Sequence, residues 1–347
     1  MNQSVIGTIR VGNNIKIYEK TINSWRKSDK EFPNILEIVN LFKVHNKFNE
    51  LIDQKNPKFL KGQISPDGKI QGARINVLPN GKKLDKAYSI FAKNLSFHDE
   101  SSHGHWDVIY QNPNGNYAYL YTQEKRRASI KNKYKNVGIF GEKYDALNKN
   151  VLSALSDEKD LIALPMYTLL KTYMRVGNEI YYKANGHKGL TTLKKKDVRI
   201  RGNNVIFNYL AKSGVPLKIK EQFPKKYVKK LHEALSSRRN NDFIFTNSKG
   251  HPLKDTDFMN AFEKYCGEQF YPHIVRSYYA TEKAKEFIQS HRKATKQEIK
   301  DLFNSIAEKL GHKRFDKIAK EWKNSYNVTI HYYLQPEILK RVNSLAK

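Results

Sequence analysis

Residues 174–219 read MRVGNEIYYKANGHKGLTTLKKKDVRIRGNNVIFNYLAKSGVPLKI, and this stretch decides the fold of the larger part of the chain. It contains three short runs rich in β-branched and aromatic residues. Typical turn residues, Gly202–Asn204 and Ser213-Gly214, separate these runs. The pattern predicts a three-stranded β meander with Lys212 at its second turn. The predicted strands are Val198–Ile200, Val205–Tyr209 and Val215–Ile219.

Helices flank the predicted meander on both sides. Apolar residues recur there at the three- and four-residue spacing of a single helix face. Pro165 suits the first turn of a helix. The predicted helices are Tyr144–Leu155 and Pro165–Arg175 before the meander, and Lys225–Ser236, Asp257–Cys266, Val275–Gln289 and Lys296–Leu310 after it.

The first third of the chain consists mostly of short β-prone runs and turns. Val5–Val11 and Ile15–Tyr18 flank a Gly-Asn-Asn sequence, which predicts a hairpin. The runs Ile75–Leu78 and Trp106–Tyr110 each lead to a Pro-Asn-Gly turn. One helix, from Ile35 to Ile52, is predicted between them.

This change of character predicts two domains and an α+β fold class. A small β-rich domain covers residues 1–135, and a larger, mainly helical domain that contains the meander covers 136–347. The Lys- and Arg-rich run Glu124–Lys135 is interpreted as the hinge between them.

The charge of the chain points to a polyanionic partner. Lys and Arg number 63 against 34 Asp and Glu, a net charge of +29. Nucleic acid is the commonest partner of so basic a protein. The single cysteine, Cys266, excludes an intrachain disulfide and a cysteine-based zinc site.

Other sequence patterns lead us to expect no cofactor, metal or membrane. There is no Gly-x-x-x-x-Gly-Lys-Ser/Thr phosphate loop and no acidic cluster typical of a magnesium site. No apolar run approaches the roughly 20 residues that span a bilayer. Met1–Arg10 lacks the apolar segment of a signal peptide. We expect an intracellular protein, in the virion or host cytoplasm if viral and in the cytoplasm or nucleoid if bacterial.

Five residues of four types in the larger domain match what metal-free phosphodiester cleavage requires. A tyrosine can attack phosphorus, and its phenolate can leave again, so the covalent step is reversible. Two guanidiniums and an imidazole can stabilise the charge on the non-bridging oxygens. A lysine on a turn can protonate the leaving 5′-oxygen. The candidates, in chain order, are Arg175, Lys212, Arg276, His312 and a tyrosine of the cluster at 331–336.

Each of these residues also has a simpler interpretation. A lone arginine or lysine in a basic chain is more often solvated or bound to phosphate. Gly311-His312 is compatible with the C-terminal cap of a helix. Tyr332 and Tyr333 are compatible with core aromatics. The order and context of the whole set favour catalysis.

Residues 174–215 resemble the type IB DNA topoisomerases of poxviruses, giant viruses and bacteria, whose catalytic fold is shared with tyrosine recombinases. The resemblance covers most of residues 105–347 and is weaker at both ends. It implies a monomer whose two domains clamp duplex DNA. The matching residues are Arg175–Glu179, Tyr181, Asn185, Gly189–Leu193, Asp197-Val198, Gly202-Asn203, Val205, Phe207 and Lys212–Gly214.

The resemblance also implies roles for individual residues. Arg175 and Arg276 correspond to two transition-state arginines, Lys212 to the general acid and His312 to a phosphate-binding histidine. Tyr333 corresponds to the nucleophile, because Tyr333–Pro336 resembles the family's ending; Tyr332 is the alternative and Tyr326 a more distant one. DNA contacts are implied for Tyr181 and for Tyr117, Tyr119 and Tyr121, whose spacing places them on one strand face. The alternative for Tyr117, Tyr119 and Tyr121 is that their side chains form a row of buried residues in the core of the β domain.

Two departures from the family pattern leave alternatives open. Twenty-one positions separate His312 from Tyr333, more than is usual, so Lys313–Asn324 is interpreted as an inserted linker that touches rotating DNA. His273 stands where these topoisomerases usually have lysine, and it is a candidate phosphate donor. The resulting His-x-x-Arg sequence is the recombinase form.

Three functions are therefore weighed. The leading one is a type IB topoisomerase that nicks one strand through a 3′-phosphotyrosyl intermediate, allows rotation and religates, without ATP or metal. The alternative is a tyrosine site-specific recombinase, against which stand the Gly189–Leu193 signature and the 14 residues that follow Tyr333. The third is a DNA-binding protein of the same fold without catalysis.

Overall fold

The structure, a computed structural model, describes residues 4–98 and 105–347. The chain separates into two compact units, Met1–Asn132 and Lys133–Lys347. The first is rich in strands and the second is mainly helical, so the predicted α+β class is confirmed. No helix in the described ranges has both the length and the apolar character needed to cross a membrane.

The N-terminal unit is built from small antiparallel sheets and one long helix. Its largest described sheet has the strand order β3-β2-β1-β4-β5, a second pairs β6 with β7, and a third has the order β10-β9-β8. The strands are β1 (Ile9–Val11), β2 (Ile17–Lys20), β3 (Trp25–Lys27), β4 (Gln63–Ile64), β5 (Ile70–Gln71), β6 (Ile75–Val77), β7 (Lys83–Tyr88), β8 (Lys93–Phe97), β9 (Val108–Gln111) and β10 (Tyr117–Leu120), and the helix is α1 (Pro33–Val44).

The predicted hairpins of this unit are confirmed, while the predicted helix is shorter than expected. Val11 pairs with Ile17 across the first turn. The helix predicted to reach Ile52 ends at Val44, because Asn46 takes a left-handed conformation (φ 55°) that short polar residues tolerate.

The C-terminal unit places helices around the predicted three-stranded meander. The meander has the order β11-β12-β13, and a separate hairpin pairs β14 with β15. The helices are α2 (Gln123–Ala154), α3 (Ala163–Thr172), α4 (Glu179–Asn185), α5 (Lys225–Ser236), α6 (Asp255–Cys266), α7 (Ile274–Ser290), α8 (Lys296–Lys309), α9 (Asn327–Tyr332) and α10 (Pro336–Ser344), and the strands are β11 (Val198–Arg201), β12 (Asn204–Ala211), β13 (Val215–Gln222), β14 (Lys313–Asp316) and β15 (Glu321–Asn324).

The run Glu124–Lys135, interpreted from sequence as a hinge, is helical. It forms the first turns of α2, and the boundary between the two units falls within that helix. Lys, Arg, Glu and Ala are strong helix formers, so a basic run of this composition propagates the helix. The hydroxyl of Thr122 accepts a hydrogen bond from the Lys125 amide (3.3 Å) at its start.

Two apolar clusters form the interior of the C-terminal unit. In the first, Phe207 of the meander is fully buried with residues of α3 and α5 such as Leu169 and Leu231. The second joins α7, α8 and α10 and includes Tyr333 and Leu334. The segment that carries Tyr333 is therefore seated on packed helices.

Candidate active site

A reversal of the chain after α3 places Arg175. Tyr173 adopts a left-handed conformation (φ 56°) and ends the helix at Thr172, three residues earlier than predicted. Such a conformation is unusual for a residue with a Cβ atom. It turns the Tyr173 carbonyl towards Arg276, which donates a hydrogen bond to it. One backbone turn thus orients both candidate arginines.

A close backbone crossing supports Arg175 from behind. The amide of Leu190 donates to the Arg175 carbonyl (2.8 Å), and the amide of Thr191 donates to the Val176 carbonyl (2.7 Å). A Cβ atom on Gly189 would lie only 2.6 Å from the Arg175 carbonyl oxygen and from backbone atoms of Gly177. The glycine in the Gly-Leu-Thr-Thr sequence is therefore required because two backbones touch there.

Arg276 lies in the first turn of α7 and is 3% exposed. Its guanidinium also donates to the Leu310 carbonyl (2.8 Å) and to Nε2 of His312 (2.9 Å). Its Nε is buried with no hydrogen-bond partner in the described part of the chain. Burial lowers the pKa of Arg276, and the neighbouring Tyr333 opposes that effect.

The end of α8 positions His312. Gly311 (φ 69°) terminates the helix, and the His312 amide donates to the Ala307 carbonyl (2.8 Å). Because arginine only donates, Nε2 of His312 accepts from Arg276, and the ring proton lies on Nδ1, 2.8 Å from Thr329 Oγ1. Burial, followed by the charge of Arg276, lowers the pKa of His312 to about 3. The imidazole is therefore neutral at pH 7.

Tyr333 is the candidate nucleophile that lies among these groups. Its hydroxyl accepts a hydrogen bond from Arg175 (2.9 Å), and its ring centroid lies 5.1 Å from Cζ of Arg276 and 4.9 Å from the His312 ring. Tyr332 is instead 52% exposed, and Tyr326 packs against Phe303. Tyr333 is 5% exposed and belongs to the second apolar cluster. Its ring is therefore part of the core, as one of the two interpretations from sequence expected, while its hydroxyl is the candidate nucleophile.

His273 is the imidazole nearest the Tyr333 hydroxyl. Its Nε2 accepts from Arg175 (3.2 Å), which places the ring proton on Nδ1, 3.5 Å from the hydroxyl oxygen. Burial, followed by the charges of Arg175 and Arg276, lowers the pKa of His273 to about 3. His273, predicted from sequence as a candidate phosphate donor, thus lies next to the phenol of Tyr333.

Lys212 lies on the turn between β12 and β13, as predicted. It is exposed, and the left-handed conformations of Ser213 (φ 65°) and Gly214 (φ 74°) shape the turn. A cavity of about 590 Å³ is lined by Lys212 together with Arg175, Arg276 and His312. The five candidates from the sequence thus meet around one cavity and the phenol beside it.

Two residues that sequence reasoning missed hold the backbone on either side of Tyr333. Lys133 of α2 donates through its ammonium to the Tyr332 carbonyl, and its Nζ lies 5.5 Å from the centroid of the Tyr333 ring. Tyr134 Oη donates to the Leu334 carbonyl (2.5 Å). Burial raises the pKa of Tyr134, so the phenol remains a donor. Nothing in the basic run distinguishes these residues from their neighbours in sequence.

Three of the four predicted DNA-contacting tyrosines are exposed, and the fourth, Tyr121, is half-buried. Tyr117 and Tyr119 are 47% and 46% exposed on one face of β10, so the core-stripe alternative is wrong for them. Tyr121 directly follows the strand. Tyr181 lies on α4, with its hydroxyl 3.5 Å from His187, and lines a second cavity of about 570 Å³.

Within residues 4–98 and 105–347, no group of three or more His, Cys, Asp or Glu side chains is arranged to hold a metal ion. The cavity is lined by the positively charged Arg175, Lys212 and Arg276 and by the neutral His312. Such a site suits an anionic substrate.

The chain is similar to proteins of known families. Residues 122–332 match the family model described as eukaryotic DNA topoisomerase I, catalytic core. DNA topoisomerase 1B of Acanthamoeba polyphaga mimivirus is 24% identical over 216 residues, covering 57% of this chain and 64% of the relative. The chain thus spans less than two thirds of the length of that relative.

Solved structures of the XerH site-specific recombinase are also similar. Its post-cleavage complex with a palindromic difH substrate shares 16% identity and its pre-cleavage complex with difH 15%, each with a TM-score of 0.35. The alignments cover 57% and 56% of this chain, and 51% and 48% of the recombinase chains.

The family match covers more than half of the chain. It contains Arg175, Lys212, Arg276 and His312, and it ends one residue before Tyr333. The resemblance inferred from residues 174–215 is confirmed, and the chain belongs to the type IB DNA topoisomerase family.

Proposed function

We propose that this chain relaxes supercoiled duplex DNA by nicking one strand through a covalent 3′-phosphotyrosyl bond, allowing rotation and religating the strand. The observation that carries the proposal is the Tyr333 hydroxyl, which accepts from Arg175 and lies beside Arg276, His312 and His273. A nucleophile surrounded by fixed donors is the arrangement that phosphoryl transfer requires.

In the proposed cleavage step, Tyr333 Oη attacks phosphorus and the bond from phosphorus to the 5′-oxygen breaks. Lys212 gives a proton to the departing oxygen, which becomes a hydroxyl. Arg175 and Arg276 neutralise the two non-bridging oxygens. His312 adds a donor once Arg276 turns towards the phosphate and the ring proton of the imidazole moves from Nδ1 to Nε2, with the Thr329 hydroxyl then donating to Nδ1. Religation is the reverse reaction, so the phosphodiester energy is conserved without ATP.

His273 has a place in the same step. In the free enzyme Arg175 donates to its Nε2, which leaves Nδ1 protonated next to the phenol. When the phosphate draws Arg175 away, the proton can reside on Nε2 and face a phosphate oxygen. Nδ1 then accepts the phenol proton as Tyr333 attacks. His273 Nδ1 thus becomes able to accept a proton only when a bound phosphate has taken Arg175 away from Nε2.

The first experiment is relaxation of negatively supercoiled plasmid in excess EDTA without ATP. We expect a ladder of topoisomers that ends in relaxed closed circles. Tyr333→Phe should abolish cleavage and keep DNA binding, while Tyr332→Phe, the matched control, should still relax the plasmid. Relaxation by Tyr333→Phe at the normal rate would refute the proposal.

A tyrosine recombinase remains the second candidate, because His273 and Arg276 form the His-x-x-Arg sequence. Strand exchange between two copies of a specific site would favour it, whereas relaxation of plasmids without such a site favours the topoisomerase.

We propose double-stranded DNA as the partner and a monomer as the active form. The net charge of +29 and the exposed Tyr117 and Tyr119 support DNA binding. Phosphate contacts should dominate the affinity, so it should fall steeply with salt. Sedimentation of a complex with a short duplex would test the predicted one-to-one stoichiometry.

A further inference from the structure

Tyr209 is a buried phenol on the wall of the catalytic cavity that the cleavage step proposed above leaves without a role. It lies on β12, three residues before Lys212, and is 7% exposed. Its ring belongs to the first apolar cluster of the C-terminal unit. The side chain nevertheless lines the 590 Å³ cavity together with Arg175, Arg276 and His312. A core residue thus reaches the space where we place the phosphate.

Strand pairing fixes the direction in which this side chain projects. Tyr209 stands opposite Leu217 of β13, and directly paired residues of an antiparallel sheet project from the same face. Leu217 lines the cavity as well. It packs so closely on the turn before His312 that a Cβ atom on Gly311 would lie 2.8 Å from Leu217 Cδ1. The face of the meander that carries Tyr209 is therefore the cavity wall next to the candidate phosphate-binding histidine.

The hydroxyl of Tyr209 has no hydrogen-bond partner within the residues that the structure describes. Other buried phenols of this chain do have one. Tyr88 donates to a backbone carbonyl (3.1 Å), and Tyr265 donates to the Asp160 carboxylate (2.7 Å). Burying a hydroxyl without a hydrogen bond costs free energy, so an unpartnered one calls for an explanation. A hydroxyl on a cavity wall can find its partner in a bound ligand.

The charges around Tyr209 leave its proton available to an anion. Burial raises the pKa of Tyr209, and the charges of Arg276 and then Arg175 oppose that effect without cancelling it. The phenol is therefore protonated at neutral pH. Arginine side chains only donate hydrogen bonds, so neither guanidinium can accept from this hydroxyl. The oxygens of a phosphodiester that enters the cavity can accept from it.

We propose that Tyr209 is a further catalytic residue, whose hydroxyl donates a hydrogen bond to a non-bridging oxygen of the phosphate that is cleaved. The inference rests on the proposed function, because it takes that phosphate to be the occupant of the cavity. A donor held in place by core packing needs no reorganisation when Tyr333 attacks. The proton stays on Tyr209 throughout, so Lys212 remains the acid for the leaving 5′-oxygen.

The first test is single-turnover cleavage of a duplex by Tyr209→Phe, which loses the hydroxyl and keeps the ring in the core. The rate should fall roughly a hundredfold, because loss of one preorganised donor costs about 10²–10³ in rate. The dissociation constant for DNA should stay nearly the same, because many other phosphate contacts share the affinity. Tyr167→Phe is the matched control, since Tyr167 is buried in the same apolar cluster and is not part of the cavity wall. It should cleave at the normal rate.

Substrates with sulfur in place of single oxygens identify the acceptor. Sulfur accepts hydrogen bonds weakly, so the unmodified chain should cleave the two non-bridging phosphorothioate diastereomers at different rates. This difference should shrink in Tyr209→Phe, which has no hydroxyl to lose its acceptor. A 5′-bridging sulfur should leave the defect of Tyr209→Phe in place, in contrast to its effect on a variant of the acid.

Four outcomes would each overturn the role of Tyr209. They are normal cleavage by Tyr209→Phe, an equal slowing by Tyr167→Phe, recovery of Tyr209→Phe with the 5′-sulfur substrate, and an unchanged difference between the diastereomers. Failure of the unmodified chain to cleave DNA would instead contradict the proposed function.

Discussion

Tyr134→Phe removes a single hydroxyl that holds the backbone next to Tyr333. In the structure this hydroxyl donates to the Leu334 carbonyl (2.5 Å), while Lys133 holds the carbonyl of Tyr332 on the other side. We infer that the two residues position the peptide that carries the nucleophile. The substitution keeps the ring and its packing, so only the hydrogen bond is lost.

The size of the effect follows from the energy of that bond. A neutral hydrogen bond contributes about 1 kcal/mol net, and 1.36 kcal/mol corresponds to a tenfold change in rate. If the bond holds Tyr333 in the attacking position, Tyr134→Phe should slow cleavage about fivefold. Lys133→Met removes a charge-assisted bond worth about 1.5–3 kcal/mol and should slow cleavage by roughly tenfold or more.

The assay is single-turnover cleavage of a duplex at saturating enzyme, with the DNA dissociation constant measured separately. The rate should fall while the affinity for DNA stays the same for Tyr134→Phe. Tyr227→Phe is the matched control, because it loses a core hydrogen bond to Thr168 (2.6 Å) away from the site. Normal cleavage by Tyr134→Phe, or an equal slowing by Tyr227→Phe, would refute the positioning role.

Three further predictions concern the backbone crossing, the general acid and the buried imidazoles. Gly189→Ala should destabilise the fold by about 1–3 kcal/mol and slow cleavage, whereas Gly138→Ala, at an open helical position, should stabilise it by about 0.5–1 kcal/mol in thermal unfolding. Lys212→Ala should lose cleavage of normal DNA but recover it when sulfur replaces the 5′-oxygen, because a thiolate leaves without a proton; no recovery would remove Lys212 as the acid. His273 and His312 have pKa values lowered from 6.5 to about 3, so the unfolded chain binds more protons. The free energy of unfolding should therefore fall as pH drops from about 6.5 towards 3, by at most about 2.7 kcal/mol per unit for two protons, and less steeply in a His273→Asn/His312→Asn variant.

In the structure without DNA, the hydrogen-bond partners of Arg175 and Arg276 are protein groups and not a phosphate. Arg175 is occupied by Tyr333 and His273, and Arg276 by backbone carbonyls and His312. A bound phosphate must replace some of these partners. The site is therefore preorganised in position, while its hydrogen bonds are exchanged on binding.

Local sequence patterns were sufficient for most of the secondary structure. The meander and the helices after it follow from turn residues and apolar periodicity, and the helix Lys225–Ser236 has the predicted ends. Two predicted helices were too long because a left-handed residue, Asn46 or Tyr173, follows the end of the observed helix. The run Glu124–Lys135 was predicted to be a hinge but is helical, because its residues are strong helix formers. Left-handed conformations outside glycine depend on tertiary contacts, which a local pattern does not contain.

The sequence by itself determined the residue types of the site and their order, because phosphoryl transfer needs a particular set of groups. Only the tertiary structure decided which tyrosine lies near Arg175, that His273 touches the phenol, and that Lys133 and Tyr134 hold its peptide. These contacts join residues that are 60 to 200 positions apart. These residues, far apart in sequence, come together because α2, α7 and the α9–α10 segment pack against one another. Local sequence patterns do not indicate which elements pack together.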